Sequence, residues 1–412
     1  MKFLTKILIL GIAFHSQPCI SLAEAANDTL WIESWENPMW GNDWHVDFGT
    51  WQVGGPSSGP GAAYRGGACA ATVLAGNYAN DVSSRLIRHT PFVVPSALEH
   101  PRLRFWQWFG IGLGDEGFVQ VRVLGDSLWN TVEGPYVGSC SGVWSYTSID
   151  LSAYANQAVE LAFLLQSNCC SEDVGWYIDD VAVVAGSPIF NNPEGWEAGI
   201  GDWSAGAGTW EIGTPTSGPN SAYLGTTCAA TVLAGSYSAD ASSRMVSPVF
   251  VVPSGLEHPR LRFWQWYGIG IGDGGFVQVR ALGDSLWNTV GGPYVGSSSG
   301  VWSYTSLDLL AYTDQAVELA FLFQSNCCSE DAGWYIDDVA VISQPGDCVF
   351  DGVLTSADII CLVNCVFRGG PCPDRSGDTN CNGLTSSSDI IVLVNHVFRG
   401  SPTPTCIWPL HI

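Results

Sequence analysis

The chain contains one long segment twice. Residues 166–184, QSNCCSEDVGWYIDDVAVV, return as QSNCCSEDAGWYIDDVAVI at residues 324–342. Upstream of each copy the strings CAATVLAG, PRLRFWQW, GDSLWNTV and VWSYTS follow in the same order. A period of this length is a domain rather than a solenoid unit, so each copy must close its own core within about 150 residues. The boundaries predicted from the alignment are 26–187 and 188–343, with a tail of different composition at 344–412.

Residue patterns within each copy select strands. Val119, Val121 and Val123 alternate with Phe118, Gln120 and Arg122, the period of a half-buried strand. Gly125-Asp126 then supplies a turn into residues 128–132, which predicts a hairpin. Charged residues make up only 13% of the chain while glycine reaches 48 and tryptophan 19, a composition of short strands and tight turns. The fold class predicted is mainly β: two tandem antiparallel sandwiches of jelly-roll type, followed by a small helical domain.

Two strands carry the candidate site residues. In PRLRFWQWFG, Leu103, Phe105 and Gln107 share one face and Arg104, Trp106 and Trp108 the other; Arg262, Trp264 and Trp266 match them. With the first set in the core, the second is either an Arg-Trp-Trp platform for sugars or other flat groups, or a face covered by neighbouring chain. In GWYIDDVAVV the apolar parity slips between Ile178 and Val181, so a β-bulge is expected at Asp179-Asp180. Adjacent carboxylates repel unless something positive lies between them. Asp179 and Asp180, with Asp337 and Asp338, are therefore either a polar strand edge or ligands of a structural cation.

The order of Trp35-Glu36 or Trp196-Glu197, a tryptophan strand, a Gly-Asp turn and a closing GWYIDDVAV resembles the jelly-roll domains of the MAM and immune-inhibitor-A-like type. That resemblance covers most of both copies. It implies binding or adhesion modules with a calcium ion near the first and last strands, held by Glu36 with Asp179 or Asp180 and by Glu197 with Asp337 or Asp338.

The tail carries different chemistry. Residues 347–358 place Asp347, Asp351 and Asp358 at the first, fifth and twelfth positions of a calcium loop, with Gly352 at the bend, the Val353 carbonyl and Thr355 between. Residues 378–389 supply Asp378, Asn380, Asn382, the Leu384 carbonyl, Ser386 and Asp389. Each loop runs into one apolar pattern, IICLVNCVFRG or IIVLVNHVFRG. The pair resembles a type I dockerin, which implies calcium as cofactor and a cohesin-like domain on a scaffold or cell surface as partner. It assigns partner contacts to Ser356, Ala357, Asn364, Arg368, Ser387, Ser388, Asn395 and Arg399. Val349 departs from the usual oxygen ligand.

Several classes are disfavoured. With 39 acidic against 15 basic residues the chain is a poor ligand for nucleic acid. Residues 1–25 read as a secretory signal, with Lys2, Lys6, a short apolar run and Ala23-Glu24-Ala25; no later run is long enough to span a membrane, so a secreted or cell-surface protein is expected. Gly125-Asp126-Ser127-Leu128 spells a hydrolase motif but falls in the predicted hairpin, and His100 and His258 read as solvated loop residues. The 14 cysteines imply disulfides, with one of Cys169-Cys170 stapled to Cys69 and one of Cys327-Cys328 to Cys228. The function expected is non-catalytic glycan or surface-protein binding, with an accessory subunit or hydrolase of polysaccharide breakdown as the alternative.

Overall fold

The computed structural model describes residues 28–140, 142–206, 208–343, 345–349, 353–370, 377–407 and 410. The signal-like leader and Asp351 lie outside them. All named strand pairs are antiparallel, and they form two β-sandwiches.

In the first repeat a seven-stranded sheet runs Ser145–Asp150, Arg102–Ile111, Gly175–Ala185, Cys69–Ala71, Gln52–Gly54, with Asp28–Glu33 and Gly138–Ser139 added at its margins. Facing it is a five-stranded sheet ordered Trp44–Phe48, Ser83–Val93, Ala158–Gln166, Glu116–Val123, Asn130–Tyr136. The chain crosses repeatedly between the two, the jelly-roll habit. The second repeat repeats this arrangement around Arg260–Ile269, Gly333–Ser343 and Ala316–Gln324. We call Arg102–Ile111 and Arg260–Ile269 the tryptophan strands, and Gly175–Ala185 and Gly333–Ser343 the aspartate strands.

The expected faces hold. Leu103, Phe105, Val119 and Val121 are fully buried between the sheets. Gln107 joins them because its amide is satisfied, accepting from Trp176 Nε1 at 3.0 Å and donating to Thr147 Oγ1 at 2.8 Å. Aromatic rings fill the centre in one geometry twice. Trp44 stacks on Phe163 at 6.2 Å and Trp203 on Phe321 at 6.2 Å, with Trp176 and Trp334 edge-on to those phenylalanines at 5.6 and 5.7 Å. The hairpin is also present: Asp126 N donates to Val123 O at the turn between Glu116–Val123 and Asn130–Tyr136.

The parity slip has the anticipated cause. Trp106 pairs with Asp179 and Arg104 with Ala182, so the aspartate strand holds an unpaired residue between them. Asp180 and Asp338 take φ of +46° and +52°, the left-handed conformation that turns a bulge.

In the tail, α1 (Ser356–Arg368) and α2 (Ser387–Arg399) pack through Leu362 and Leu393, both fully buried, and Cys348. Both helices end on a left-handed glycine, Gly369 or Gly400. The strand Cys406–Ile407 returns to pair with Ser343 and Ile342, extending the second repeat's sheet with tail residues. Disulfides join Cys348 to Cys361 and Cys381 to Cys406. No helix among the described residues is long and apolar enough to cross a membrane.

Candidate functional site

The outer face of each tryptophan strand carries a cluster of aromatic rings, with Trp144 edge-on to Tyr64 at 6.1 Å and Trp302 edge-on to Tyr223 at 6.2 Å. Tyr64 lies flat on Trp106, centroids 3.8 Å apart and planes 13° apart, and Tyr146 from the neighbouring strand flanks the indole at 5.0 Å. In the second repeat Tyr223 lies on Trp264 at 3.9 Å and 13°, with Tyr304 at 5.6 Å. Tyr223 and Tyr304 are 39% and 48% exposed, so their outer faces are open to a ligand. The deeper part of the expected stripe is covered: Trp108 and Trp266 are buried edge-on against Tyr177 and Tyr335 at 5.5 and 5.4 Å. Arg104 is buried as well.

The carboxylates named as cation ligands fasten the loop that delivers the tyrosine. Asp179 Oδ2 accepts from Arg65 N at 3.1 Å, and Asp337 Oδ2 accepts from Tyr223 N and Leu224 N at 2.9 and 3.0 Å. Glu36 accepts from Gly67 N and Ala68 N, both at 2.8 Å. Glu197 accepts from Thr226 N, Thr226 Oγ1 and Thr227 N at 2.8–2.9 Å. The loop turns so closely over Glu36 that a Cβ on Gly66, whose φ is +71°, would lie 2.3 Å from Oε1.

Arginine supplies the positive neighbour. Asp180 faces Arg65 at 3.5 Å, and Asp338 takes a two-pronged pair from Arg262 at 2.5 and 3.1 Å. At the bulge, backbone N–H groups thus occupy Asp179 and Asp337, while Asp180 and Asp338 face a guanidinium. Among the described residues no three His, Cys, Asp or Glu side chains converge as a metal-binding group. Burial raises Asp179 to about 7 and Asp337 to about 6, against the opposing pull of their backbone donors. Glu197 is lowered to about 2 by the N–H groups of Thr227 and Thr226.

The two clusters differ in what surrounds them. In the first repeat Tyr64, Trp106, Tyr146, Arg65 and Asp180 line a cleft of about 410 Å³ whose far wall is residues 198–201 of the second repeat. Arg104 is drawn across that junction to Asp202, which leaves Asp180 to Arg65. The second repeat has Leu224 in place of Arg65, and there Arg262 turns to Asp338. Sequence reasoning missed the four tyrosines. Their signal was present in the AYRG/AYLG and VWSYTS pairs, but nothing local to those strings says that a distant loop folds onto the tryptophan strand.

In the second tail loop Asp378 is buried and accepts from Asn382 N and Gly383 N at 3.1 and 2.6 Å, which bends the loop around it. Asp389 accepts from Asn380 N at 3.0 Å and Ser386 N at 2.8 Å, forming with Ser386 the capping box of α2. The Asn380 side-chain oxygen is buried without a hydrogen-bond partner, the mark of a position shaped for a ligand. These oxygens fit a hard divalent cation. In the first loop Asp358 plays the same capping role, accepting from Thr355 N at 2.8 Å and Val349 N at 3.1 Å. Asp347, however, lies against the second repeat, 3.0 Å from His258 Nε2, so His258 is not the solvated loop residue expected.

Of the assigned partner residues, Ser356, Ala357, Arg368, Ser387, Ser388 and Arg399 are exposed, and Asn364 and Asn395 are half-buried. Beside them Ile360 and Phe367 on α1, and Ile391 and Phe398 on α2, are each 62–67% exposed.

The expected cysteine staples are not formed. Cys69 lies in the strand paired to the middle of the aspartate strand, whereas Cys169 and Cys170 sit in the exposed loop before it. Cys69, Cys140 and Cys228 are buried free thiols, each pushed up to about 12 by burial.

A two-repeat sandwich protein with duplicated aromatic clusters and a disulfide-bonded helical tail is thus the class defined by this fold. No protein-family model matches the chain. It is 36% identical over 151 residues to Bacillopeptidase F of Bacillus subtilis, a stretch of 36% of this chain and 10% of that protein. The chain thus spans about a tenth of the length of that relative. Similar solved structures include a xylan-binding domain from Paenibacillus barcinonensis, at 15% identity and TM-score 0.27, covering 39% of this chain and 96% of that one. A cleaved adhesin domain of Lys-gingipain from Porphyromonas gingivalis gives 16%, 0.25, 38% and 98%.

Proposed function

We propose that the chain is a secreted, non-catalytic binding protein whose sandwiches present aromatic clusters to a glycan and whose tail is a calcium-loaded plug for a cohesin-like domain. The observation that carries the first half is the Tyr223–Trp264–Tyr304 group. Its exposed tyrosine faces suit the apolar face of a sugar ring, and the adjacent Arg262–Asp338 pair offers donors and acceptors for hydroxyls. Two such surfaces on one chain raise avidity through effective concentration even when each binds weakly.

The second half is supported by the tail. Asp378, Asn380, Asn382, Ser386, Asp389 and the Leu384 carbonyl would hold the ion in the second loop, and Asp347, Thr355, Asp358 and the Val353 carbonyl would serve in the first. Calcium would draw the loop oxygens together. The exposed Ile and Phe stripes beside Ser356, Ala357, Ser387 and Ser388 then form the face offered to the partner. A hydrolase reading finds little support at the Asp pair: Asp179 has a proton available near neutral pH, yet it is fully buried and its oxygens are taken by the N–H groups of Arg65 and Asp180.

A glycan array run beside a hydrolysis assay on the same polysaccharides tests the first half. Binding should be retained on some glycan and reduced about tenfold by Tyr304→Ala, equivalent to about 1.4 kcal/mol of lost stacking. Release of reducing ends, or unchanged binding by Tyr304→Ala and Tyr223→Ala, would overturn it. Cohesin pull-down with and without chelator tests the tail separately.

A further inference from the structure

Each repeat exposes two adjacent cysteines at a loop tip, and their surroundings are built. Cys169 Sγ and Cys170 Sγ are 3.0 Å apart, and Cys327 Sγ and Cys328 Sγ are 3.0 Å apart. That is inside the ordinary contact distance of two sulfurs and about 1 Å outside a disulfide bond. The loop that carries them is clamped. Asn168 N donates to Asp115 Oδ1 at 2.7 Å, its side-chain oxygen accepts from Cys170 N at 2.8 Å, and its amide donates to Leu113 O at 3.1 Å. Asp115 is itself buried and tied to the Tyr78 hydroxyl at 2.5 Å. Ser171 turns through φ +73° and lays its carbonyl over Gly112, where a Cβ would lie 1.5 Å from that oxygen. Asn326, Asp273, Tyr237, Ser329 and Gly270 reproduce every one of these contacts.

The geometry points to a paired-thiol site in each repeat that closes into a disulfide between neighbouring residues. Among the described residues the other free thiols, Cys69, Cys140 and Cys228, are buried in the sandwiches and are not at hand as partners. Closure is an exchange with an external small-molecule disulfide such as oxidised glutathione: the two thiols give up two protons and two electrons, the S–S bond forms, and the oxidant leaves as two thiols. Adjacent Cα atoms are about 3.8 Å apart, below the span of an ordinary bridge, so the ring is strained and is reduced more easily than a structural disulfide. When open, the pair is a chelating dithiol suited to thiophilic ligands such as trivalent arsenicals, which bond both sulfurs and release water.

The full chain equilibrated across a glutathione redox series near pH 8.5, alkylated without denaturant, then reduced and alkylated with a second reagent, reads the site by peptide mass. First-reagent labelling at Cys169, Cys170, Cys327 and Cys328 should fall about tenfold per ~30 mV as the poise passes the pair's potential. Cys170→Ser should convert Cys169 into a glutathione mixed disulfide. The inference is overturned if all four cysteines take the first reagent throughout, or if either pair is found bridged to another segment. It is equally overturned if the reduced protein fails to bind phenylarsine oxide at each repeat.

Discussion

Replacing Asp202 by Asn tests whether the two repeats are locked by charge. The Asp202 side chain is 4% exposed and ion-paired to Arg102 at 3.5 Å and to Arg104, whose side chains are 10% and 8% exposed. It also accepts from Ile189 N at 2.7 Å, a bond that the asparagine oxygen retains. The substitution thus removes charge while keeping shape. Two guanidinium groups are left facing each other at the junction, and Arg102 is already lowered to about 10 by burial and then by Arg104. Leaving buried charge without its partner costs about 3–5 kcal/mol, which for domains of this size lowers the melting temperature by about 6–20 °C. Calorimetry and urea unfolding measure it, and a double-mutant cycle with Arg104→Met should return a coupling of about 2 kcal/mol. A buried pair is screened little, so the effect should persist in 1 M salt. A loss below about 1 kcal/mol, or one that salt abolishes, would place Asp202 with ordinary surface pairs and refute a charge-locked junction.

Other outcomes follow from the same contacts. Asp179 and Asp337 hold protons in the folded state that the unfolded chain has released, so they stabilise fully below about pH 4 and that contribution is lost as pH rises through about 6 to 7. Urea midpoints against pH should decline over that window in the parent and less steeply in Asp179→Asn; parallel curves would contradict the assignment. Glu197 has the opposite sign, its contribution being present above the usual glutamate range and lost as pH falls toward about 2. Cys406→Ser opens a bridge of sequence separation 25, worth roughly 3.5 kcal/mol by loop entropy. Amide exchange at Ile407 should then accelerate as its strand leaves Ile342, and unchanged protection there would argue against the added strand.

The sandwiches were legible because alternation is a local property. Val119 and Val121 state their face by period alone, and the bulge at Asp180 is visible as one residue too many between Ile178 and Val181. The use of the acidic residues was not legible. Sequence counts the carboxylates of Glu36 and Asp179 but not the backbone N–H groups that a loop 31 and 114 residues away brings to them. The cysteines failed for a related reason: matching positions in the repeats suggested pairs, whereas register places Cys69 opposite Gly54, in the buried strand that pairs with the aspartate strand through Ala70 and Ala71, and leaves Cys169 at the loop tip.

The second copy is not a spare of the first. Its Asp202 occupies the position that Asp43 holds in the first repeat, yet it reaches back across the junction and takes Arg104 away from the bulge. Asp180 then needs another cation, and Arg65 on the tyrosine loop serves; where Leu224 stands instead, Arg262 stays home on Asp338. The Arg104–Asp202 ion pair joins the repeats beside residues 198–201, which wall the first aromatic cluster into a cleft, while Tyr223 and Tyr304 of the second lie open on the surface. Equal sequences at the tryptophan strands thus acquire unequal access. A ligand able to stack only on an open face would be lost with Tyr304, while one that fills an enclosed cleft would be lost with Tyr146, so the pair Tyr304→Ala and Tyr146→Ala separates the two surfaces by which ligand each abolishes.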